Sequence, residues 1–509
     1  MSIAELRFSN VLPAELHFSA GLLFDVVVLC GGDSQKFSPL CDDTQKPMLN
    51  VCGKPLVWFC LRPWIDGGCR TFFLCVHEPC DSLRSFLERE FQHVKFHYVN
   101  VPERVREEND NEGEPSTTCD ALVAFRKYRS TACSGDFIRD VLVVSGDTVL
   151  ASIDVAQFIS NFYLSFASVA ILLWKHKGAG ASREEPTKKR RDDPKALVPS
   201  CCVVALEGTS ESSKGSTTHH RLNFISSSGD IPSEGFALPV GFLARRQQMM
   251  FRSDIENVHV YLLRNWVLDY IVAHPAESLT HDIIPLLTTC QHWMIHRSSG
   301  KVKSPAARLR WKREIPPHWA LISGTSRDIG VLNSMRQSLP ESWDSLRVVA
   351  TVYSAEEGHH LATRLNSKER ILASLQPLTT IFSKEPSPLA LLMVDHVFKN
   401  KDSHSTAPLE SSEVIAGVHG SVVLSQGIVD GNHTIYRSFI GRNVTVGSRA
   451  RIVNSIVMDS VEVGDHCVII NSVVGNACNL SAKVELDNCF VSAATSVIKG
   501  QYSARALHN

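Results

Sequence analysis

The chain has 509 residues, more than one hydrophobic core usually covers, so two or more domains are expected. Hydrophobic residues make up 44% and charged residues 21%, an ordinary globular composition, and a net charge of −1 excludes a global field drawing the chain to nucleic acid or membrane. No apolar run is long enough to span a bilayer, and Glu5, Arg7, Asn10, Glu15 and His17 interrupt any signal-peptide core, so a cytosolic chain is expected. The 15 cysteines form no C-x-x-C pair, so they are expected to be reduced, buried thiols and not a zinc site.

Residues 1–23 read as an N-terminal extension. Val26-Val27-Val28-Leu29 is an apolar, β-branched run followed by Gly31-Gly32, the pattern of a buried strand ending in a tight loop. Thr71 to Val76 and Val141 to Val144 read as further strands. Helical patterns lie between them, at Ser82 to Phe91 and at Cys119 to Tyr128. Thr117 to Asp120 has the spacing of a capping box at the start of the second. Strands alternating with helices imply a parallel α/β sheet, expected to run over residues 24–297. Two polar stretches interrupt it, near 178–195 and 207–220, and read as surface insertions. The first contains Lys188-Lys189-Arg190-Arg191, read as a solvated loop in preference to an import signal. His219-His220 and His359-His360 lack a third ligand at metal-site spacing. Residues 298–412 read as a connector in which Leu346 to Tyr353 has the look of one more strand.

From Val423 onward an apolar residue recurs at spacings of six, six and five: Val423, Val429, Ile435, then Ile440, Val446, Ile452, then Val457, Val463, Ile469, then Val474, Leu480, Leu486, then Val491 and Val497. At 44% hydrophobic residues, chance gives roughly 10⁻⁵ for such a run in a fixed register. Two places before these stand small or β-branched residues: Ser438, Val444, Ala450, Ser455, Val461, Cys467, Ser472, Cys478, Val484 and Cys489. This is the form of a hexapeptide-repeat β-helix over residues 413–509, in which each coil buries its core by stacking on the next. Glycines such as Gly441, Gly447, Gly464 and Gly475 are expected to permit the tight corners. Gly500 to Asn509 is expected to cap one end. His433 and His466 are read as structural, because nothing orients them for acyl transfer.

The loop after the first strand reads Leu29-Cys30-Gly31-Gly32-Asp33-Ser34-Gln35-Lys36-Phe37, then Gln45-Lys46-Pro47-Met48-Leu49, then Gly53-Lys54-Pro55-Leu56. Glycine lets backbone N–H groups approach a triphosphate, and basic side chains balance the charge on a transferring phosphoryl group. Asp147, in Ser145-Gly146-Asp147, stands where an aspartate at a strand end would hold magnesium. These segments resemble the signature of the sugar-phosphate nucleotidyltransferases. The departures are a serine (Ser34) for the third glycine, Lys36 for the arginine, Gln45 for the proline, and Thr117 for a glycine near the nucleotide base. No second metal carboxylate is evident.

An altered nucleotidyltransferase domain followed by a hexapeptide-repeat solenoid resembles the gamma- and epsilon-type subunits of translation initiation factor 2B. The stretches Val258 to Leu263 and Ile283 to Leu287 share in that likeness. The resemblance implies a Rossmann-like α/β domain followed by a left-handed parallel β-helix. It implies a gamma-type subunit, because the chain shows no helical-repeat exchange module after the solenoid. The implied partners are an epsilon-type subunit, alpha-, beta- and delta-type subunits, and initiation factor 2 as the GTPase, with no nucleic acid or membrane contacted directly. Gly31, Gly32, Lys36, Lys46 and Asp147 would form a vestigial nucleotide site, with no catalytic residue, no metal and no cofactor, and the chain would not itself be an enzyme. The alternative is an active sugar-phosphate nucleotidyltransferase, which Lys46 and Asp147 favour.

Overall fold

The computed structural model describes residues 24–102, 116–132, 139–176, 201–207, 217–227, 249–290, 346–354, 361–383, 418–424 and 433–508, apart from single positions within them. The N-terminal extension, the basic tetrad, His359-His360 and Val429 lie outside the described residues. So do most of the two insertions, although the ends of the second fall on strands.

The α/β unit contains β1 (Phe24–Leu29), a small hairpin of β2 (Asn50–Val51) and β3 (Lys54–Pro55), β4 (Thr71–Val76), β5 (Lys95–Asn100), β6 (Asp140–Ser145) and β7 (Thr148–Ala151). It continues through β8 (Val169–Lys175), β9 (Cys201–Glu207), β10 (Thr217–Ser227), β11 (Met249–Leu263), β12 (Val348–Ser354) and β13 (Leu361–Arg364). Nine of these make one sheet in the order β5-β4-β1-β6-β11-β8-β12-β10-β9. The expected parallel sheet holds for β5, β4, β1 and β6. It breaks at β11, which runs antiparallel to both β6 and β8, and recurs beyond it only between β8 and β12. The first half of β11 also pairs with β9, joining the last five strands into a ring.

Both faces of the sheet are covered, which is why β1 reads as a continuous apolar run and not an alternating one. Val26 and Val28 face one core, with Trp58, Phe59 and Trp64 of the helix Leu56–Asp66. Val27 faces the other, with Leu122 and Phe125 of the helix Thr118–Ala132. That second helix starts as its sequence spacing predicts: the Thr117 N–H donates to Asp120 Oδ2 (2.8 Å) and the Asp120 N–H donates back to Thr117 Oγ1 (3.4 Å).

The stretch expected to be a connector differs from that expectation. Strand β12 lies inside the sheet, parallel to β8 from Val348↔Val169 to Ser354↔Lys175. After β13, Leu365 and then Ile371, Leu375 and Leu378 of the helix Lys368–Ser383 enter the first core. The α/β unit therefore uses residues well past 297.

The C-terminal region is a stack of coils forming three parallel sheets, of six, six and four strands. The register is the one the periodicity predicts: Ile435↔Ile452, Ile440↔Val457 and Val446↔Val463 pair, each 17 residues apart. The twelve inward positions from Ile435 to Val497 are at most 4% exposed. Buried serines are satisfied by the stack itself: the Ser455, Ser472 and Cys489 N–H groups donate to the hydroxyls of Ser438, Ser455 and Ser472 (3.2, 3.1 and 3.0 Å).

Two expectations about the solenoid are corrected. The corners are not turned by glycine: the positive-φ residues there are non-glycines, such as Asn443, Arg449, Asn454, Ser460 and His466. The glycines serve close approach between coils. A Cβ on Gly464 would lie 2.7 Å from the backbone nitrogen of Ala482, and one on Gly441 would lie 2.7 Å from the Met458 carbonyl carbon. Nor does the last segment cap the stack, because Gln501–Ser503 and Ala506–Leu507 pair on Glu485–Asp487 and Phe490–Val491 as a further partial coil.

The solenoid docks on the α/β unit through one flank. Phe439, Ile456, Met458 and Val473 belong to the same core as Trp58 and Trp64, and Phe490 packs against it.

Candidate functional site

The parallel half of the sheet delivers the candidate residues to one place, at the C-terminal ends of β1 and β6, where open α/β sheets carry their ligand crevices. A cavity of about 220 Å³ opens there, lined by Gly31, Gly32, His77, Ser116, Thr117, Ser145, His259, Tyr261, Thr280 and Arg364 among others. Gly32 has φ +117°, a conformation L side chains rarely adopt, and a Cβ there would lie 3.3 Å from Lys46 Nζ. A Cβ on Gly31 would meet His77 Nε2 at 3.0 Å, so the loop lies directly on that ring. Gly146 is just as constrained, with its would-be Cβ 2.9 Å from the Leu29 carbonyl oxygen. Its N–H donates to that same oxygen (2.8 Å), placing Asp147 beside the end of β1.

Lys46 and Asp147 come together. Lys46 opens a short 3-10 turn, and its Nζ donates to Asp147 Oδ2 at 2.6 Å, with both groups buried. Ser145 Oγ donates to the other carboxylate oxygen at 2.5 Å.

The residue that sequence reasoning missed is Arg364. Strand β13 pairs antiparallel with β7 so that Arg364 faces Thr148, and the Leu365 N–H donates to the Asp147 carbonyl (2.8 Å). This register sets Arg364 Nε against both oxygens of Asp147, at 2.9 and 3.0 Å. Burial alone would push the Asp147 carboxyl up; Arg364 and then Lys46 outweigh it and hold the group well below the usual carboxylate range. His259 sits at a break in the register of β11, with φ +59°. Burial, and then Arg364, hold its imidazole well below the usual range, so its Nε2 is free to accept from Arg364 Nη1 (3.3 Å). Lys36 is different: it is exposed on the loop and does not line the cavity. Thr117 lines the cavity and is also the cap of the helix Thr118–Ala132.

A divalent ion at Asp147 does not fit these residues. Both carboxylate oxygens are engaged by Lys46, Arg364 and Ser145. A second buried carboxylate, Glu256, accepts from the Arg364 backbone N–H (3.2 Å) and is taken up by Arg370 and Thr363. Among the described residues no cluster of three His, Cys, Asp or Glu could hold a metal. No helix among them is long and apolar enough to cross a membrane. The cysteines described are free thiols, and burial pushes Cys30, beside the loop, up to about 12.

Residues 25–179 match the family model described as nucleotidyl transferase, and residues 418–506 match the one described as GMPPB C-terminal domain. A curated relative described as probable glucose-1-phosphate cytidylyltransferase, from Bacillus subtilis (strain 168), is 29% identical over 68 residues. That match covers 13% of this chain and spans only 27% of the relative's length. The expectation that the chain is not an enzyme is overturned by these findings: both domains and the relative point to a nucleotidyltransferase. The physical reason lies in where the departures fall. Lys36 is exposed outside the cavity, and Thr117 caps a helix as well as lining the cavity, whereas Lys46 and Asp147 pair directly behind the lining residues Gly32, Ser145 and Arg364. The chain thus matches a nucleotidyl transferase model over part of its α/β unit and a GMPPB C-terminal domain model over its stacked parallel strands.

Proposed function

We propose that the chain is a sugar-phosphate nucleotidyltransferase, taking a nucleoside triphosphate and a sugar 1-phosphate. One observation carries this reading: Lys46 and Asp147, 101 residues apart in sequence, meet at 2.6 Å beside Gly32 of the loop that lines the cavity. In the reaction a sugar-phosphate oxygen attacks the α-phosphorus, the new P–O bond forms, and the bond to the β-phosphate oxygen breaks to release pyrophosphate. Lys46 and Arg364 offset the charge that accumulates on the phosphates. Asp147 holds both cations in position, and Gly31 and Gly32 let the backbone approach the triphosphate. The test is pyrophosphate release from the full chain with each nucleoside triphosphate paired with a panel of sugar 1-phosphates. At least one pair should react, and Lys46→Ala should lower its rate by about 100-fold or more. Silence across all pairs would overturn the reading.

A second reading follows from the grip of Arg364 on both oxygens of Asp147, which restrains this carboxylate. In it the same cleft belongs to a gamma-type subunit of the initiation factor 2B exchange complex. The chain would work in the cytosol beside an epsilon-type subunit, with alpha-, beta- and delta-type subunits, and initiation factor 2 as the GTPase. The stacked coils would be left-handed. The discriminating measurement is purification of the tagged chain from its own cells. Co-elution of those partners would support this reading, and a lone chain or homo-oligomer would count against it.

A further inference from the structure

We infer that Arg364 is the resident cation of this cleft: it holds the place over Asp147 where a divalent ion would otherwise bind, and phosphate-bearing ligands bind here without metal. The inference rests on the proposal that the cleft takes a nucleoside triphosphate, and it names how that ligand's charge is met.

The argument begins with occupancy. A divalent ion needs open carboxylate oxygens, ideally from more than one residue. Asp147 has neither oxygen open, because Arg364 Nε lies 2.9 and 3.0 Å from the two. Glu256, the buried carboxylate behind Arg364, is committed to Arg370 and Thr363. The guanidinium is also not a chance visitor. The pairing Arg364↔Thr148 fixes its backbone, and His259 accepts from Nη1 (3.3 Å). A guanidinium retains its charge at any accessible pH and has five donors. Nε and Nη1 are spoken for by Asp147 and His259, and Arg364 lines the cavity beside Gly31 and Gly32. Lys46 adds a second cation within reach of Gly32. Two cations against one carboxylate leave a single net positive charge, which Arg364 presents to the cavity and which suits a phosphate group.

The experiment uses the full chain in metal-stripped buffer. Mn²⁺ alone is titrated in with electron paramagnetic resonance as the readout. Separately, each metal-free nucleoside triphosphate is titrated calorimetrically, then again with excess Mg²⁺. Wild type should show no ordered Mn²⁺ site. At least one triphosphate should bind in the stripped buffer within about threefold of its affinity with magnesium. Arg364→Lys keeps the charge but not the planar fork, so it should weaken that binding by about tenfold. Its melting temperature shows whether the variant is folded. Arg364→Gln, which keeps hydrogen-bond donors without the charge, should weaken binding further. A tight Mn²⁺ site in wild type that is lost in Asp147→Asn would overturn the inference. Triphosphate binding that vanishes without magnesium would do the same, as would unchanged binding in both folded Arg364 variants. Each of those results leaves nucleotidyl transfer standing. Absence of binding by every triphosphate in both buffers would overturn this inference and the function beneath it together.

Discussion

The solenoid and the cleft are held together by interactions of opposite range. In the solenoid the strand pairing and most of the coil-to-coil hydrogen bonds recur one coil, 17 residues, away, so the same contact repeats down the stack. In the cleft, Asp147 is held by Lys46 and Arg364, 101 and 217 residues distant, and among the described residues no second copy of the arrangement shares its load. A repeat built on nearest neighbours should fail by geometry at any coil, whereas the cleft should fail by charge at a single residue.

The largest effect is expected from Val463→Asp. It places a carboxylate among Val446, Ile469 and Leu480 with no partner, at a cost of roughly 3–5 kcal/mol. Thermal melting and solubility measure it; a normal melt would show that the prism tolerates charge and that repetition spreads the damage. Asp147→Ala comes next. It leaves Lys46 and Arg364 facing each other without a counter-charge, and about 3 kcal/mol should be lost in urea unfolding. If Asp147→Ala matched wild type, the cleft would be held by packing and not by charge. Gly464→Ala should cost about 1–3 kcal/mol, because a Cβ there would press on the next coil's backbone at 2.7 Å. An equal cost for Gly500→Ala, whose added Cβ would meet only the Tyr502 side chain at 3.3 Å, would contradict the close-approach explanation.

The smallest effect is a pH dependence confined to the cleft. His259 has its imidazole held below the usual range in the folded chain, so the unfolded chain takes up the proton first. Its contribution to stability is complete above the ordinary imidazole value of about 6.5 and is lost as pH falls below that. The limiting slope is about 1.4 kcal/mol per pH unit. His259→Asn should flatten the melting temperature between about pH 6.5 and 5, a window set by the ordinary imidazole value. Asp147 acts with the same sign but lower, where carboxylates take up protons, so the two contributions separate along the pH axis.

The difference in range also explains what could be read before the structure. The solenoid was legible down to its register because six-six-five spacing is a local property of the chain. What stayed hidden there was the docking face, although a signal for it exists. In one of the three sheets the residue before each inward position is apolar (Val422, Phe439, Ile456, Val473, Phe490), while in another it is Thr445, Glu462, Asn479 and Ser496. The glycine-rich loop, Lys46 and Asp147 were legible from their ordered motifs. Arg364 was not, because its place depends on β13 pairing with β7, the Thr148↔Arg364 contact across 216 residues, which no spacing encodes. His259 lies within an apolar strand pattern, but the register break at which it lines the cavity is a property of the pairing and not of the run itself. The antiparallel half of the sheet was missed for the same reason: alternating strands and helices describe succession along the chain and not direction across the sheet.

The shared core between the two parts carries a consequence for how the molecule is made. Trp58 and Trp64 pack in one cluster with Phe439, Ile456 and Val473, yet several hundred residues separate them along the chain. During synthesis the tryptophans leave the ribosome long before the coils that cover them. At the usual rates of elongation, the 89 residues matched as the C-terminal domain, 418–506, take on the order of ten seconds to emerge. Through that interval the flank of the nascent α/β unit stays open to water, an apolar surface that chaperones recognise until the last coils close over it.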